Sequence, residues 1–308
     1  MTEFLRARSL FASPLLRITD VSCRAPACAR GAEECASSHH VVFARAGVFV
    51  THVGRRRVVA DPAHVLFFNH RESFRVSHPA EGGDECTMVS GPASTWMELG
   101  CRYDGSIIER PDTPFALPVA PLRESTLLRF RQLRHAARVG AAEEAELEEE
   151  ALECLDAVLR DAYSTRGARR SGVRQRTAYE RRELAARTAI MIAADPTQGR
   201  SLLELAQTVN ASPFHLARIF REHVGIPIHQ YRLRLRLALA LDRLLDRGES
   251  LSTTAHTLGF SSHSHFTTRF RRTFGLSPSA FRRSASRARV AELRTKHPRL
   301  GFREEILE

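Results

Sequence analysis

The chain has 308 residues, 43% hydrophobic and 26% charged, with a formal net charge of +11. That length suits two domains with separate cores, and no run reaches the roughly 18–20 apolar residues of a membrane span, so no membrane partner is expected. The charge is uneven: Thr165 to the C-terminus holds 27 basic against 12 acidic residues, whereas residues 1–164 hold 19 against 23. One half is therefore suited to a polyanion and the other to sensing or assembly. Because Lys296 is the sole lysine, part of the arginine excess is compositional bias. The opening MTEFLRARSLFASPLL carries Glu3, Arg6 and Arg8 and lacks a signal peptide's apolar core. A cytoplasmic protein is expected, with its six cysteines as thiols or ligands rather than a disulfide frame.

In chain order, short β-branched or aromatic runs come first: HHVVFARAGVFVTHV, RRRVVA, HVLFFN, SFRVSH and CTMV, between about 39 and 90. Gly47, Gly54, Asp61-Pro62, His78-Pro79 and Gly82-Gly83 separate them, which predicts a small antiparallel barrel or sandwich. Helical periodicity follows over 123–138 and 142–163, with Leu147, Ala151, Leu155, Val158 and Ala162 on one stripe. The acidic run EEAELEEE lies near the N-terminus of the second helix, where the helix dipole favours it. Turning at Gly140, the two helices form a hairpin that either covers the barrel or pairs with a second copy, so a homodimer is expected. The basic stretch RGARRSGVRQR, 166–176, has no apolar period and reads as a linker.

Everything from about 178 onward reads as helix, and it contains a repeat. SLLELAQTVNASPFHLARIFREHVGIPIHQY (201–231) aligns with SLSTTAHTLGFSSHSHFTTRFRRTFGLSPSAF (250–281). Ala206 falls on Ala255, Val209 on Leu258, Ser212 on Ser262, Leu216 on Phe266, Phe220 on Phe270 and Gly225 on Gly275. Each copy is a short apolar helix, a tight turn, and a second helix starting at a serine cap, the pattern of a helix-turn-helix. The core of the two units is assigned to Ala206, Val209, Leu216, Phe220, Tyr231, Ala255, Leu258, Gly259, Phe266 and Phe270. Gly259 takes the left-handed position that ends a helix. A joining helix over about 228–245 buries Tyr231, Leu235, Ala238, Leu241 and Leu245. Its length of about 27 Å compares with about 34 Å for one turn of B-DNA.

These residues carry a resemblance. Residues 180–283 resemble the DNA-binding domain of AraC/XylS-family transcription regulators, through Leu205-Ala206, Ser212-Pro213, His215-Leu216, Arg218, Phe220, Gly225, Tyr231, Arg234 and Ala238. In the second unit the matching residues are Ala255, Leu258-Gly259-Phe260, Ser264-His265-Phe266, Phe270-Arg271-Arg272, Phe274-Gly275 and Ser277-Pro278. The resemblance implies an α+β protein: an N-terminal antiparallel β barrel (cupin-like) with a helical hairpin, and a C-terminal all-α double helix-turn-helix domain. The expected division is 1–164 regulatory and dimerisation domain, 165–179 basic linker, 180–285 DNA-binding domain and 286–308 basic tail. It also implies a bacterial, cytoplasmic, nucleoid-associated regulator that binds promoter DNA, with a small-molecule effector and RNA polymerase as further partners. No enzyme activity is expected.

Transferred by position, the groove contacts are Pro213, Phe214, Ala217, Arg218 and Arg221 in the first unit. In the second they are Ser262, His263, Ser264, Thr267 and Thr268, with Arg271, Arg272, Arg282 and Arg283 set against phosphates. Arg218 is the favoured base reader, because a guanidinium can bond guanine bidentately. Thr268 stands where the family commonly has arginine, which weakens base reading by the second unit. His263 and His265 lie two apart on a helix, point away from each other and cannot share a metal. His265 is assigned to packing or backbone contact. His39, His40, His52, His70 and His78, with Cys23, Cys28, Cys35 and Cys86, lie in or near the expected barrel. They show neither a His-x-His with a following Glu nor a C-x-x-C pair, so no metal and no cofactor are expected. The competing readings are an enzyme on the barrel and an architectural nucleic-acid binder.

Overall fold

The structure, a computed structural model, describes residues 4–27, 30–54, 56–140, 142–164, 175–246 and 249–284. The N-terminal half holds ten strands: β1 (Leu5–Ala12), β2 (Arg17–Cys23), β3 (Glu33–Cys35), β4 (His39–Ala46), β5 (Phe49–Val53), β6 (Arg56–Ala60), β7 (His64–Phe68), β8 (Ser73–Ser77), β9 (Asp84–Gly91) and β10 (Val119–Pro121). They form a six-stranded sheet in the order β1-β2-β9-β4-β7-β10 and a four-stranded sheet in the order β3-β8-β5-β6. All recorded pairings are antiparallel.

β4 shows how the layers stack. Alternate side chains leave opposite faces of a strand. Val42 and Ala44 therefore join Phe49, Val58 and Ala60 of the second sheet in a core between the sheets. Val41 and Phe43 turn the other way, into a core shared with helices. With both faces covered, every residue of HHVVFAR is buried.

α1 (Ala93–Gly100), α2 (Glu124–Val139) and α3 (Glu144–Ser164) supply that cover. α2 and α3 turn at Gly140, which ends α2 in the left-handed region at φ 68°. The stripe expected on the second helix of the hairpin is fully used within the chain: Leu147, Ala151, Leu155, Val158 and Ala162 are all buried. It covers the sheet and offers no apolar surface to a second copy.

The remaining elements are helical: α4 (Gln175–Ala194), α5 (Leu202–Thr208), α6 (Pro213–Val224), α7 (Ile228–Asp246), α8 (Leu251–Thr257), α9 (His263–Phe274) and a last helix, α10, over 278–284. The stretch read as a linker is helical from Gln175 onward, while 165–174 and the tail beyond 284 lie outside the described residues. α7 is buried on two sides. Tyr231 and Leu235 join the core of α4–α6, whereas Leu237, Ala238, Ala240, Leu241 and Leu244 join the core that α2 and β4 share with α8 and α9.

Polar contacts cross the same junction. Tyr231 donates a hydrogen bond to Asp61 Oδ2 at 2.5 Å, and Arg234 donates to the Leu122 carbonyl at 2.6 Å. Arg131 and Arg134 of α2 face Asp242 of α7 at 3.4 and 3.5 Å. Burial pushes the Arg131 guanidinium down to about 10, with Asp242 opposing that shift. For Asp61, burial raises the carboxyl, but the His64 ring and the donors from His64, Tyr231 and Ala63 outweigh it and hold the group below the ordinary carboxylate value.

Candidate nucleic-acid interface

Two helix pairs, α5–α6 and α8–α9, are built alike, and the reasons are local. Ser201 and Ser250 cap the first helices and Ser212 and Ser262 the second ones, each side chain accepting a backbone N–H of the first turn. The turn between helices needs one residue in the left-handed region. Gly259 supplies it at φ 74°, as expected, and at the matching place in the first pair Asn210 does so at φ 55°. The inter-helix turns close identically, with Ala211 N–H donating to the Ala206 carbonyl and Phe260 N–H to the Ala255 carbonyl. Gly225 and Gly275 terminate α6 and α9 in the left-handed region.

The expected core assembles. Ala206, Val209, Leu216, Phe220, Tyr231, Ala255, Leu258, Phe266 and Phe270 are all buried, and Gly259 sits exposed at its turn. Phe220 packs edge-on to Tyr231, and Phe270 touches both Phe266 and Phe281. With those rows turned inward, the intervening residues face solvent.

That outer face carries the expected contact residues. Phe214, Arg218, Arg221, Ser262, His263, Ser264, Thr268, Arg271 and Arg272 are exposed, and Pro213, Ala217 and Thr267 are half-buried. Phe214 is 91% exposed at the start of α6. Among the described residues, Arg218, Arg221, Arg269, Arg271 and Arg272 have no acidic partner within ion-pair distance, so the face keeps its positive charge.

One assignment needs adjustment. Arg282, expected against phosphate, instead donates to the Glu249 carbonyl at 2.5 Å and ties α10 to the turn before α8. His265, assigned to packing or backbone contact, is exposed. It meets Phe260 edge-on, its Nδ1 lies 2.9 Å from Ser261 Oγ, and its Nε2 accepts from Arg269 Nε at 3.3 Å. An acceptor at Nε2 places the ring proton on Nδ1, so His265 aims Arg269, the cation beside Thr268. In α6, Arg218 makes a longer contact of 3.5 Å with His215.

The comparisons with known proteins bear on this region. A family model described as a helix-turn-helix domain matches residues 205–284. An AraC-like transcription regulator of Streptomyces lividans is 32% identical over 89 residues, 29% of this chain and 29% of its own length. The C-terminal region is an AraC-type helix-turn-helix domain. The transcriptional regulator LumQ of Photobacterium leiognathi matches the AraC-type domain at 38% identity over 81 residues, 26% of this chain and 33% of LumQ. The chain thus spans about a third or less of the length of these relatives. Among solved structures, apo ToxT from Vibrio cholerae aligns over 88% of this chain and 98% of its own, at 9% identity and a TM-score of 0.38. No described helix is long and apolar enough to cross a membrane.

Proposed function

We propose that the protein is a sequence-specific DNA-binding transcription regulator in which α6 and α9 enter successive major grooves. The observation that carries this reading is the doubled surface: two serine-capped helices on buried hydrophobic rows, each showing unpaired arginines to solvent, at either end of α7. α7 has 19 residues, about 28 Å at 1.5 Å per residue, which approaches the spacing of groove openings on one side of B-DNA, about 34 Å. Pro213, Phe214, Ala217, Arg218 and Arg221 meet one groove. Ser262, His263, Ser264, Thr267 and Thr268 meet the next, and Arg271 and Arg272 neutralise phosphates.

Control by a small effector, expected from the sequence to bind in the N-terminal barrel, belongs to the same reading. The space between the sheets is filled by side chains such as Val42, Phe49, Leu66 and Phe68. A cleft of about 590 Å³ lies instead between the halves, reached by Arg57, Asp61 and His64 on one side and Arg182, His223 and Tyr231 on the other. An occupant there would bear on the Tyr231–Asp61 bond and thereby on α7.

Selection of bound fragments from random duplex DNA, followed by footprinting with the full-length protein, tests the reading. A discrete protected site with two contacted groove segments on one face is expected, and Arg218→Ala should lose protection of one segment first. Continuous, sequence-independent protection would overturn it in favour of an architectural binder.

A further inference from the structure

At the end of β2, Cys23 lies directly across from Asp84, the first residue of β9. His78, just beyond β8 in the other sheet, reaches the same point, and its Nε2 donates to Asp84 Oδ1 at 2.9 Å. One ligating atom from each of Cys23, His78 and Asp84 lies within 4.8 Å of the other two, and all three residues are buried. The backbone is shaped around them. Gly47 and Gly83, both in the left-handed region, let the chain close in: a Cβ on Gly83 would meet the Cys23 carbonyl at 1.9 Å, and one on Gly47 would meet the Gly83 carbonyl at 2.3 Å.

We propose that Cys23, His78 and Asp84 bind one divalent ion of the zinc class, with water in the fourth position. A soft thiolate sulfur and a borderline imidazole nitrogen beside one carboxylate oxygen suit tetrahedral zinc rather than magnesium or calcium. The thiolate and the carboxylate together balance the ion's two charges. On binding, the ion replaces the Cys23 thiol proton, which leaves to solvent, and the His78 ring proton shifts from Nε2 to Nδ1 so that Nε2 can ligate. The site stands independently of any DNA-binding role.

The test uses tag-free, full-length protein, reduced and stripped with chelator, then titrated with cobalt(II) as the spectroscopic stand-in for zinc. One equivalent is expected to bind with a sulfur-to-cobalt charge-transfer band and the intense visible bands of four-coordinate cobalt, and zinc should bleach both. Cys23→Ser should abolish the charge-transfer band, and His78→Gln and Asp84→Asn should weaken binding at least about tenfold, by loss of one ligand. Cys35→Ser and Cys101→Ser should leave the spectrum unchanged. The wild-type titration decides even if a buried variant folds poorly. A wild-type protein without the charge-transfer band, or a band that survives Cys23→Ser, overturns the proposal.

Discussion

Tyr231→Phe probes the joint between the two halves by removing one oxygen atom and nothing else. The hydroxyl donates to Asp61 at 2.5 Å, and Asp61 is 1% exposed. Hydrogen bonds to charged groups contribute roughly 1.5–3 kcal/mol. Asp61 keeps the Ala63 N–H at 2.7 Å and the His64 ring at 2.9 Å, which prevents a full loss of the charge's support. Burial of the acceptor sets the expectation toward the upper half, about 2–3 kcal/mol, or a fall in Tm of roughly 4–12 °C at 2–4 °C per kcal/mol. Calorimetry of the full-length protein measures it, with Tyr103→Phe as a control because Tyr103 bonds Asp156 at a more accessible place. If the halves unfold in separate steps, both steps should move, since the bond joins them. A change below about 0.5 kcal/mol, the size of an ordinary surface substitution, would refute the reasoning.

Other outcomes follow from the same structure. Arg218→Ala should weaken binding to a selected site by roughly 1–3 kcal/mol, about 5- to 150-fold, and relax preference at one base, as read by competition with substituted duplexes. Arg271→Ala and Arg272→Ala should each flatten the slope of log affinity against log salt by about 0.9 without altering sequence preference; an unchanged slope would remove them from the phosphate contacts. Stability should also fall on mild acidification. Burial lowers the His39, His40 and His52 rings below their ordinary value of 6.5, with the His70 ring, the His39 ring and Arg30 respectively adding to the effect. The unfolded chain therefore takes up protons below about pH 6.5 before the folded one does, so this contribution is complete above that pH and is lost as pH drops toward the folded values. Urea unfolding between pH 7.5 and 5.5 should show the decline, and His40→Gln should lessen it.

The C-terminal helices were legible because each is specified locally. Ser212 and Ser262 cap, Gly225 and Gly275 stop, and the apolar rows repeat at helical spacing, so register and outward face follow from neighbours in sequence. β1 and β2 went unread for the opposite reason. Leu5–Ala12 is an edge strand with mostly exposed side chains, and its partner, Arg17–Cys23, shows little alternation. Only pairing, β2 with β9 and β1 with β2, defines them. The Cys23, His78 and Asp84 cluster was invisible for the same cause: its members are separated by 55 and 6 positions, and strand register rather than spacing unites them. The contact of His265 with Arg269 went unread because adjacency to a core phenylalanine says nothing of the arginine one turn on. Arg282 was misjudged because a basic residue in a basic region looks alike whether it meets phosphate or a carbonyl.

The double burial of α7 bears on how this protein can be taken apart. AraC-type domains invite treatment as interchangeable cartridges, to be cut out and fused to a different sensor. Here excision would uncover Leu237, Ala240 and Leu244 and leave Asp242 without the two arginines that face it. A truncated chain would carry a sticky, half-charged seam along its central strut. A chimera that keeps α7 must therefore import a mate for that seam, or redesign those four side chains as surface.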